Sequence, residues 1–316
     1  MKIKSTLVVS LGLVIAAFAR LPAAESAGAQ NFAPMQVSAA AVQKVSFSPA
    51  ARVFTESPLP VRASEERQEL VFSAPPHETE AEAQRIYQPV AEYLTRILGK
   101  KVVFQYPQDW LAYQREMQRG NYDLIFDGPH FNSWRISHLQ YSALAKLADN
   151  NAYVVVVRQE DNITGLAQLA GQKICGMTPP DLGTLAVLGQ FDNPVRQPFI
   201  VNTLGSTKVY ESVAVEKQCA AGIMPLASLS KIPGGQNKLR VIYQTASLPG
   251  QTFSASPRIS RTDQARLAAA LVSLEASKTM RGLLSANDTS RGLDYANAED
   301  YAGLDAYLNG AWGYSR

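Results

Sequence analysis

The chain has little of what several classes of enzyme and metalloprotein require. Its 316 residues include 2 cysteines and 3 histidines, and the cysteines lie far apart rather than in a CxxC pair. It contains none of the GxSxG, HExxH, Walker or glycine-fingerprint motifs that mark hydrolases, zinc proteases, P-loop NTPases and dinucleotide-binding enzymes. We therefore expect a protein that is not an enzyme and that carries no cofactor.

The excess of positive over negative charge is also small. The formal net charge is +3, and Lys2, Lys4 and Arg20, opposed only by Glu25, place part of this excess at the N-terminus. The remaining chain is close to neutral, so it lacks the strong basic field of a general nucleic-acid-binding protein. Nucleic acid is not an expected partner.

Long apolar runs are confined to the N-terminus. Lys2 and Lys4 precede the apolar run Leu7–Ala19, and small residues follow at positions 27–29. This pattern predicts a cleavable signal peptide over residues 1–29 and therefore export. The alternative is a membrane anchor, but the run is shorter than the ~20 apolar residues that a spanning helix needs.

The two cysteines allow two interpretations. Cys175 and Cys219 each lie at a predicted strand in the middle third of the chain. In an exported protein such a pair can form a disulfide, and two separate buried thiols are equally compatible with the pattern. The sequence leaves both open, and it gives the pair alone no metal-binding spacing.

The order of apolar segments predicts an α/β protein. Residues 30–67 are rich in Ala, Ser, Pro and Val without a sustained period and are predicted to be a flexible leader. From there, short apolar strands alternate with helical segments, which favours parallel sheets. We predict a first lobe from residues 68–152 and 246–316 and a second, smaller lobe from residues 153–245.

His77 and His130 are the main candidates for a binding site. Each follows a short apolar run that ends at proline, in VFSAPPH and YDLIFDGPH. Ligands of open α/β sheets bind beyond the carboxyl ends of the strands, so both histidines are expected near a ligand. Together with Glu78 and Asp127 they could bind a metal ion such as zinc. Hydrogen bonding to an oxyanion and a loop-stabilising role are the alternatives.

Aromatic residues are the second set of candidates. Trp110, Tyr113 and Trp134 either line a ligand site or pack in the core. Tyr153 and Phe253 lie where the chain is predicted to cross between lobes, as cleft wall or as ordinary strand packing. An aromatic cleft that is short of anion donors would suit a bulky apolar solute such as a lipid or sterol.

Four stretches carry a resemblance to a known family: YQPVAEYLTRILGKK at 87–101, RGNYDLIFDGPH at 119–130, NITGLAQLAGQKICG at 162–176 and GSTKVYESVAVEKQCAAG at 205–222. Their order resembles the periplasmic solute-binding proteins of ABC importers that have the type II fold. Within these, the chain is most similar to the phosphate/phosphite/phosphonate-binding group. The resemblance extends over about residues 69–310.

The resemblance implies a two-lobed α/β fold with a hinge and an interlobe cleft. It further implies a monomer in the periplasm that captures a small-molecule solute and docks on an ABC permease in the inner membrane. Carried onto this chain, the ligand loops of the two lobes supply these candidate contacts: Pro75, His77, Asp127, Gly128, His130, Phe131, Thr178, Asp181, Thr184, Ser206 and Thr207. Tyr153 joins them as the cleft-wall candidate of the predicted crossing between lobes.

One loop departs from the pattern of the phosphonate-binding group. Where that group carries a Ser/Thr–Ser/Thr–Gly cluster, residues 178–184 read TPPDLGT. Two prolines remove N–H donors, and Asp181 adds a negative charge close to the expected phosphoryl group. A phosphonate-like oxyanion remains the expected solute. The alternatives are a bulky apolar lipid- or sterol-like ligand, a metal ion, and a periplasmic ligand sensor that signals to a membrane receptor.

Overall fold

Strands and helices alternate along the part of the chain that the computed structural model describes, which comprises residues 69–309 and residue 311. Their strands form two separate sheets, one of six strands and one of five. The predicted two-lobed α/β fold is therefore confirmed. The predicted signal peptide (1–29) and leader (30–67) lie outside the described residues.

The strands of the described residues are short and are ordered as the apolar runs predict. They are β1 (Glu69–Ser73), β2 (Lys101–Phe104), β3 (Leu124–Asp127), β4 (Ser142–Leu147), β5 (Tyr153–Arg158), β6 (Lys173–Gly176), β7 (Phe199–Asn202), β8 (Ala221–Pro225), β9 (Leu239–Gln244), β10 (Thr252–Ala255) and β11 (Leu293–Tyr295).

The helices are α1 (Glu80–Leu98), α2 (Trp110–Gln118), α3 (Pro129–Leu139), α4 (Leu182–Leu188), α5 (Ser206–Tyr210), α6 (Leu226–Lys231), α7 (Gly235–Lys238), α8 (Arg261–Leu271), α9 (Leu274–Thr279) and α10 (Arg281–Ala286). Helix α5 continues as a π-helical turn, Glu211–Val215. Short 3₁₀ turns occupy Leu166–Leu169, Pro194–Arg196, Ala298–Tyr301 and Leu304–Leu308. Among residues 69–309, none of these helices is both long and apolar enough to cross a membrane.

Both sheets are mixed, so the expectation of parallel sheets holds only in part. In the first sheet β1 runs parallel to β2 and β3, whereas β10 lies antiparallel between β3 and β4. In the second sheet β6 is parallel to β7 and β8, and β5 is antiparallel to β8 and β9. The exceptions follow the chain path, because β10 enters the first sheet only after the chain has returned from the second. The tail, expected to be helical, contributes the edge strand β11.

Between residues 69 and 309, two chain segments cross from one sheet to the other, at residues 148–152 and 245–251, and they pair with each other. Asn151 and Leu248 exchange both backbone hydrogen bonds, each 2.8 Å long. Gly250 lies where a Cβ would approach the carbonyl oxygens of Leu147 and Asp149 to 2.7 and 2.8 Å. The crossing segments are thus packed too closely for a side chain at this position, and they form the hinge of the two-lobed fold.

Helix α1 illustrates how local sequence sets the first lobe. Thr79 caps its N-terminus in a capping box with Glu82, and Gly99 ends it in the left-handed conformation at φ 68°. The helix buries one face, which comprises Ala83, Tyr87, Val90, Ala91, Tyr93, Leu94 and Leu98. This face packs in the same core as Phe72 of β1 and Phe253 of β10. Burial of this apolar face is the main source of the helix's stability.

A disulfide in the second lobe resolves the alternatives for the two cysteines. Cys175 of β6 is bonded to Cys219, which precedes β8, and their Cα atoms are 5.7 Å apart. Both residues are buried in the core of this lobe. The bond connects β6 to the segment that leads into the neighbouring strand β8, and it closes a loop of 44 residues.

Candidate functional site

A cavity of about 380 Å³ lies between the two lobes. The first lobe contributes the loop after β1 and the start of α3, and the second contributes the loops after β6 and β7. Part of the hinge, at residues 149–151, also lines it. The volume falls in the lower part of the range typical of small-molecule sites.

Seven of the twelve predicted contact residues lie in the cavity wall. They are His77, Gly128, His130, Phe131, Tyr153, Asp181 and Ser206. The other five, Pro75, Asp127, Thr178, Thr184 and Thr207, are not among the residues that line it. All five belong to the predicted loops. Polar groups of Pro75, Asp127, Thr178 and Thr184 form hydrogen bonds within the protein, and Thr207 is exposed.

Asp127 holds the loop rather than lining the cavity. Its carboxylate accepts two hydrogen bonds of 2.6 Å from Arg135, one of 2.8 Å from Asn132 and one from the Tyr113 hydroxyl. Both members of the ion pair are fully buried, and Arg135 also donates to Ser254 Oγ at 3.0 Å. The oxygens of Asp127 are thus occupied by protein donors, so its expected role as a ligand contact is corrected to a structural one.

The threonines of the TPPDLGT loop are also engaged within the second lobe. Thr184 is buried, and its hydroxyl donates to the carbonyl of Met177 at 2.5 Å. The backbone N–H of Thr178 donates to the side chain of Asn202 at 3.3 Å. Thr207 is exposed on α5. In the first lobe, Pro75 is buried and its carbonyl accepts from the N–H of His77 at 2.9 Å.

His130 connects the two lobes across the cavity wall. Its Nε2 lies 3.0 Å from the carbonyl oxygen of Pro180, and because a carbonyl only accepts, Nε2 must carry the proton. Its Nδ1 is buried without a hydrogen-bond partner among the described residues. Burial lowers the pKa of His130 to about 3, against the raising effect of the Pro180 hydrogen bond. A Cβ on Gly128 would lie 2.8 Å from this ring, so glycine is needed there.

His77 lies on the same side of the cavity and packs against an aromatic group. The rings of His77 and Trp110 are 5.0 Å apart, edge to face, and Trp110 in turn stacks on Phe131 at 6.1 Å. Burial lowers the pKa of His77 to about 4, so both histidines are neutral at pH 7. Of the aromatic candidates, Trp110 and Tyr153 line the cavity.

The remaining aromatic candidates lie elsewhere. Tyr113 is a fully buried member of a core cluster, and Phe253 packs in the main core of the first lobe. Trp134 stacks on His138 with ring centroids 4.7 Å apart. These residues support the first lobe rather than the cavity wall.

The wall of the cavity is acidic. Glu78, Asp149, Asp181 and Asp288 line it, and within the described part of the chain no Lys or Arg does. Asp149 and Asp288 come from the hinge and from the loop after α10. They were not predicted, because no local pattern marks two loops that meet only through the fold. Among residues 69–309 and 311, no three His, Cys, Asp or Glu side chains are gathered as a metal site would require.

Two of these carboxyl groups have perturbed ionisation. Burial raises the pKa of Glu78 to about 7, and nearby Glu82 adds to the rise. Burial also raises the pKa of Asp181 to about 6, although Asp181 accepts from the backbone N–H of Thr184 at 3.0 Å as the N-cap of α4. Both groups therefore change charge near neutral pH.

Two lobes, a paired hinge and a cavity between them define a solute-binding protein. In agreement, a family model described as "ABC transporter, phosphonate, periplasmic substrate-binding protein" matches residues 72–301, and the chain belongs to this family. The phosphate-import protein PhnD of Mycolicibacterium smegmatis is 27% identical over 120 residues, which are 35% of this chain and 37% of that protein. The chain thus matches little more than a third of the length of this curated relative.

Solved structures establish the fold. PhnD1 from Prochlorococcus marinus, in complex with methylphosphonate, has a TM-score of 0.59 at 14% identity, over 76% of this chain and 97% of its own. A Xanthomonas citri protein bound to ATP has a TM-score of 0.63 at 13% identity, with the same coverage of 76% and 97%. A binding-protein component of an ABC phosphonate transporter from Pseudomonas aeruginosa has a TM-score of 0.56 at 15% identity. The match covers 74% of this chain and 83% of that protein.

Proposed function

We propose that the protein captures a small phosphonate-like oxyanion in the interlobe cavity and delivers it to the permease of an ABC importer. The N-terminus of α3 is the observation that carries this proposal. The helix begins at the cavity with Gly128 as its N-cap, and no side chain of the described residues caps it. Its first residue, Pro129, has no N–H. The backbone N–H groups of the first turn that follow Pro129, together with the positive end of the helix dipole, favour an anion at this end of the helix.

The dimensions of the site and the relatives support the same class of solute. A cavity of about 380 Å³ suits a small molecule. One solved relative contains methylphosphonate, and the curated relative imports phosphate. Because the histidines in the wall are neutral, an oxyanion here would be held mainly by N–H and O–H donors rather than by a fixed cationic side chain.

The remaining parts of the proposal concern location and organisation. We place the protein in the periplasm, exported by the signal peptide at residues 1–29, as a monomer without catalytic activity. The lobes comprise residues 68–152 with 246–316 and residues 153–245, a division supported by the separate membership of the strands in the two sheets. The docking partner would be the permease in the inner membrane.

A neutral, partly apolar solute is the second candidate. It is favoured by the aromatic side chains of Trp110, Phe131 and Tyr153 in the wall and by the absence of Lys and Arg from the lining residues of the described chain. Such a solute would not need the N–H groups at the start of α3.

Calorimetric titration of the purified protein with methylphosphonate, inorganic phosphate and the neutral dimethyl ester of methylphosphonate separates these candidates. Saturable binding of methylphosphonate or phosphate, with a rise in melting temperature, is the expected result. The neutral ester should bind weakly by comparison, because it lacks the charge that the helix start favours. A protein that binds neither anion in the range from about pH 5 to about pH 8 would contradict the oxyanion proposal.

A charge placed on the cavity wall gives a second test. Ser206 lines the cavity at the start of α5, and Ser206→Asp adds a carboxylate there, which should abolish binding of an anion by like-charge repulsion. Ser206→Asn is the matched control, because asparagine has the size of aspartate without its charge. The Asn variant should bind the anion far more tightly than the Asp variant. Equal affinities for the two variants would mean that the solute is neutral or lies elsewhere.

A further inference from the structure

Two carboxyl groups face the cavity without a positive partner in the described part of the chain. Glu78 lies in the wall of the first lobe and Asp181 in the wall of the second. Among the described residues, Oε2 of Glu78 is buried with no hydrogen-bond partner. The other two acidic residues of the wall each have a positive partner. Oδ1 of Asp149 lies 2.8 Å from Nη1 of Arg291, and Oδ1 of Asp288 lies 3.6 Å from Nζ of Lys231.

This arrangement is incompatible with an oxyanion while both carboxyl groups are ionised. Two negative charges beside a bound anion repel it strongly where water is largely excluded. A protonated carboxyl group, by contrast, is neutral and supplies an O–H donor. The same two groups are therefore obstacles in one protonation state and ligands in the other.

We propose that Glu78 and Asp181 hold the oxyanion in their protonated forms, so that solute capture takes up protons. This inference rests on the proposed function, and it makes the two residues the determinants of how affinity depends on pH. Its chemical content is that the bound solute accepts hydrogen bonds from two carboxylic acids on opposite walls.

The surroundings of both groups favour the neutral form. Burial already places the pKa of Glu78 at about 7 and that of Asp181 at about 6. The titratable groups that face them are His77, Glu82, Tyr87 and Tyr106 around Glu78, and Tyr153 and His130 around Asp181. None of these is cationic at neutral pH. An arriving anion raises both pKa values further.

The test compares the wild type with the double variant Glu78→Gln and Asp181→Asn, which imitates the protonated pair. Asn is as good an N-cap as Asp, so α4 keeps its cap. Titration with methylphosphonate at about pH 5 should give similar affinities for the two proteins, and at about pH 8 the variant should bind at least ~10-fold more tightly. The ionisation of methylphosphonate itself affects both proteins alike and cancels in the ratio.

The control is the double variant Glu80→Gln and Asp192→Asn, which removes two exposed carboxyl groups outside the cavity. It should reproduce the wild-type profile. A second measurement counts protons: in titrations at about pH 8 in buffers of different ionisation enthalpy, the wild type should take up about one to two protons more per solute than the Glu78→Gln and Asp181→Asn variant. The difference between the two proteins removes the contributions of the histidines and of methylphosphonate.

Four results would overturn the inference. A ratio of affinities that does not change with pH, or an equal proton uptake by the two proteins, would mean that the carboxyl groups are not protonated on binding. Weaker binding by the Gln/Asn variant at every pH would mean that the ionised groups accept hydrogen bonds from the solute. Failure of the wild type to bind methylphosphonate at any pH would instead defeat the proposed solute class, and the inference with it.

Discussion

Nε2 of His130 lies 3.0 Å from the carbonyl oxygen of Pro180, so the start of α3 in one lobe donates a hydrogen bond to the TPPDLGT loop of the other. The ring is 3% exposed, and water therefore competes little with this bond. The bond can exist only while the lobes are close together. It thus links a residue of the cavity wall to the closed arrangement.

Loss of this donor should weaken solute binding. We expect His130→Ala to raise the Kd about 5- to 10-fold, because a net hydrogen bond contributes about 1 kcal/mol and because the ligand depends on the closed form. His130→Gln retains a side-chain N–H donor of similar reach and should stay within about 3-fold of the wild type. Calorimetric titration measures the affinities, and small-angle scattering with and without solute measures closure.

The combination of His130→Ala with Ser206→Ala removes a polar group from each lobe's wall and should weaken binding by about tenfold or more. Thermal unfolding shows whether each variant is folded. If the double variant is folded and binds with wild-type affinity, the solute does not occupy this cavity.

The buried ion pair of Asp127 and Arg135 should matter for stability far more than an exposed pair. Asp127→Ala leaves a buried guanidinium without its charge partner, which we expect to cost about 3–5 kcal/mol in the free energy of unfolding. Urea denaturation provides the measurement. As the matched control, Glu275→Ala removes the partner of Arg96 in an exposed ion pair and should cost less than about 1 kcal/mol. Equal losses for the two variants would contradict the structural role of Asp127.

The positions of His77 and His130 could be predicted because they depend on local sequence. Each follows a short apolar run and a proline, and strand ends at one edge of a sheet bring such loops together. The role of Asp127 could not be predicted in this way. Its partner Arg135 lies 8 residues further along the chain, within α3. The spacing of residues in the sequence does not distinguish a carboxylate that binds an arginine from one that binds a ligand.

Long-range pairing sets the other limits of the sequence analysis. Thr252–Ala255 could be predicted as a strand, but its insertion between β3 and β4 depends on contacts with segments more than 100 residues earlier. In the same way, Asp149 and Asp288 reach the cavity from the hinge and from the loop after α10. Periodicity reports the local element, and it contains no information about which distant loop will face it.

The disulfide between Cys175 and Cys219 should stabilise the second lobe. It closes a loop of 44 residues, for which the chain-entropy model gives about 3–4 kcal/mol at 25 °C. We expect the double variant Cys175→Ala and Cys219→Ala to lose about this amount in denaturant unfolding, with little change in the solute Kd. A reductant should lower the stability of the wild type and leave the variant unaffected. A variant as stable as the oxidised wild type would show that the bond does not stabilise the fold.

The ionisation of Glu78 and Asp181 should also appear in the stability of the solute-free protein. Their pKa values rise on folding, from 4.5 to about 7 and from 3.8 to about 6, so the folded state holds these protons more tightly. The stability that they contribute is therefore complete at low pH and is lost as the pH rises through the folded values. His77 and His130 act in the opposite sense, because burial lowers their pKa values.

The difference in unfolding free energy between the wild type and a variant without the two acids separates their contribution from that of the histidines. We expect the variant Glu78→Gln and Asp181→Asn to gain stability relative to the wild type between about pH 5 and about pH 8, on the order of a few kcal/mol. Urea denaturation at each pH gives the free energies of unfolding, with Glu80→Gln and Asp192→Asn as the exposed control. Since Gln and Asn do not titrate, the gain must follow the ionisation of the two acids. A difference that stays constant over this range would mean that neither acid has a raised pKa in the folded protein.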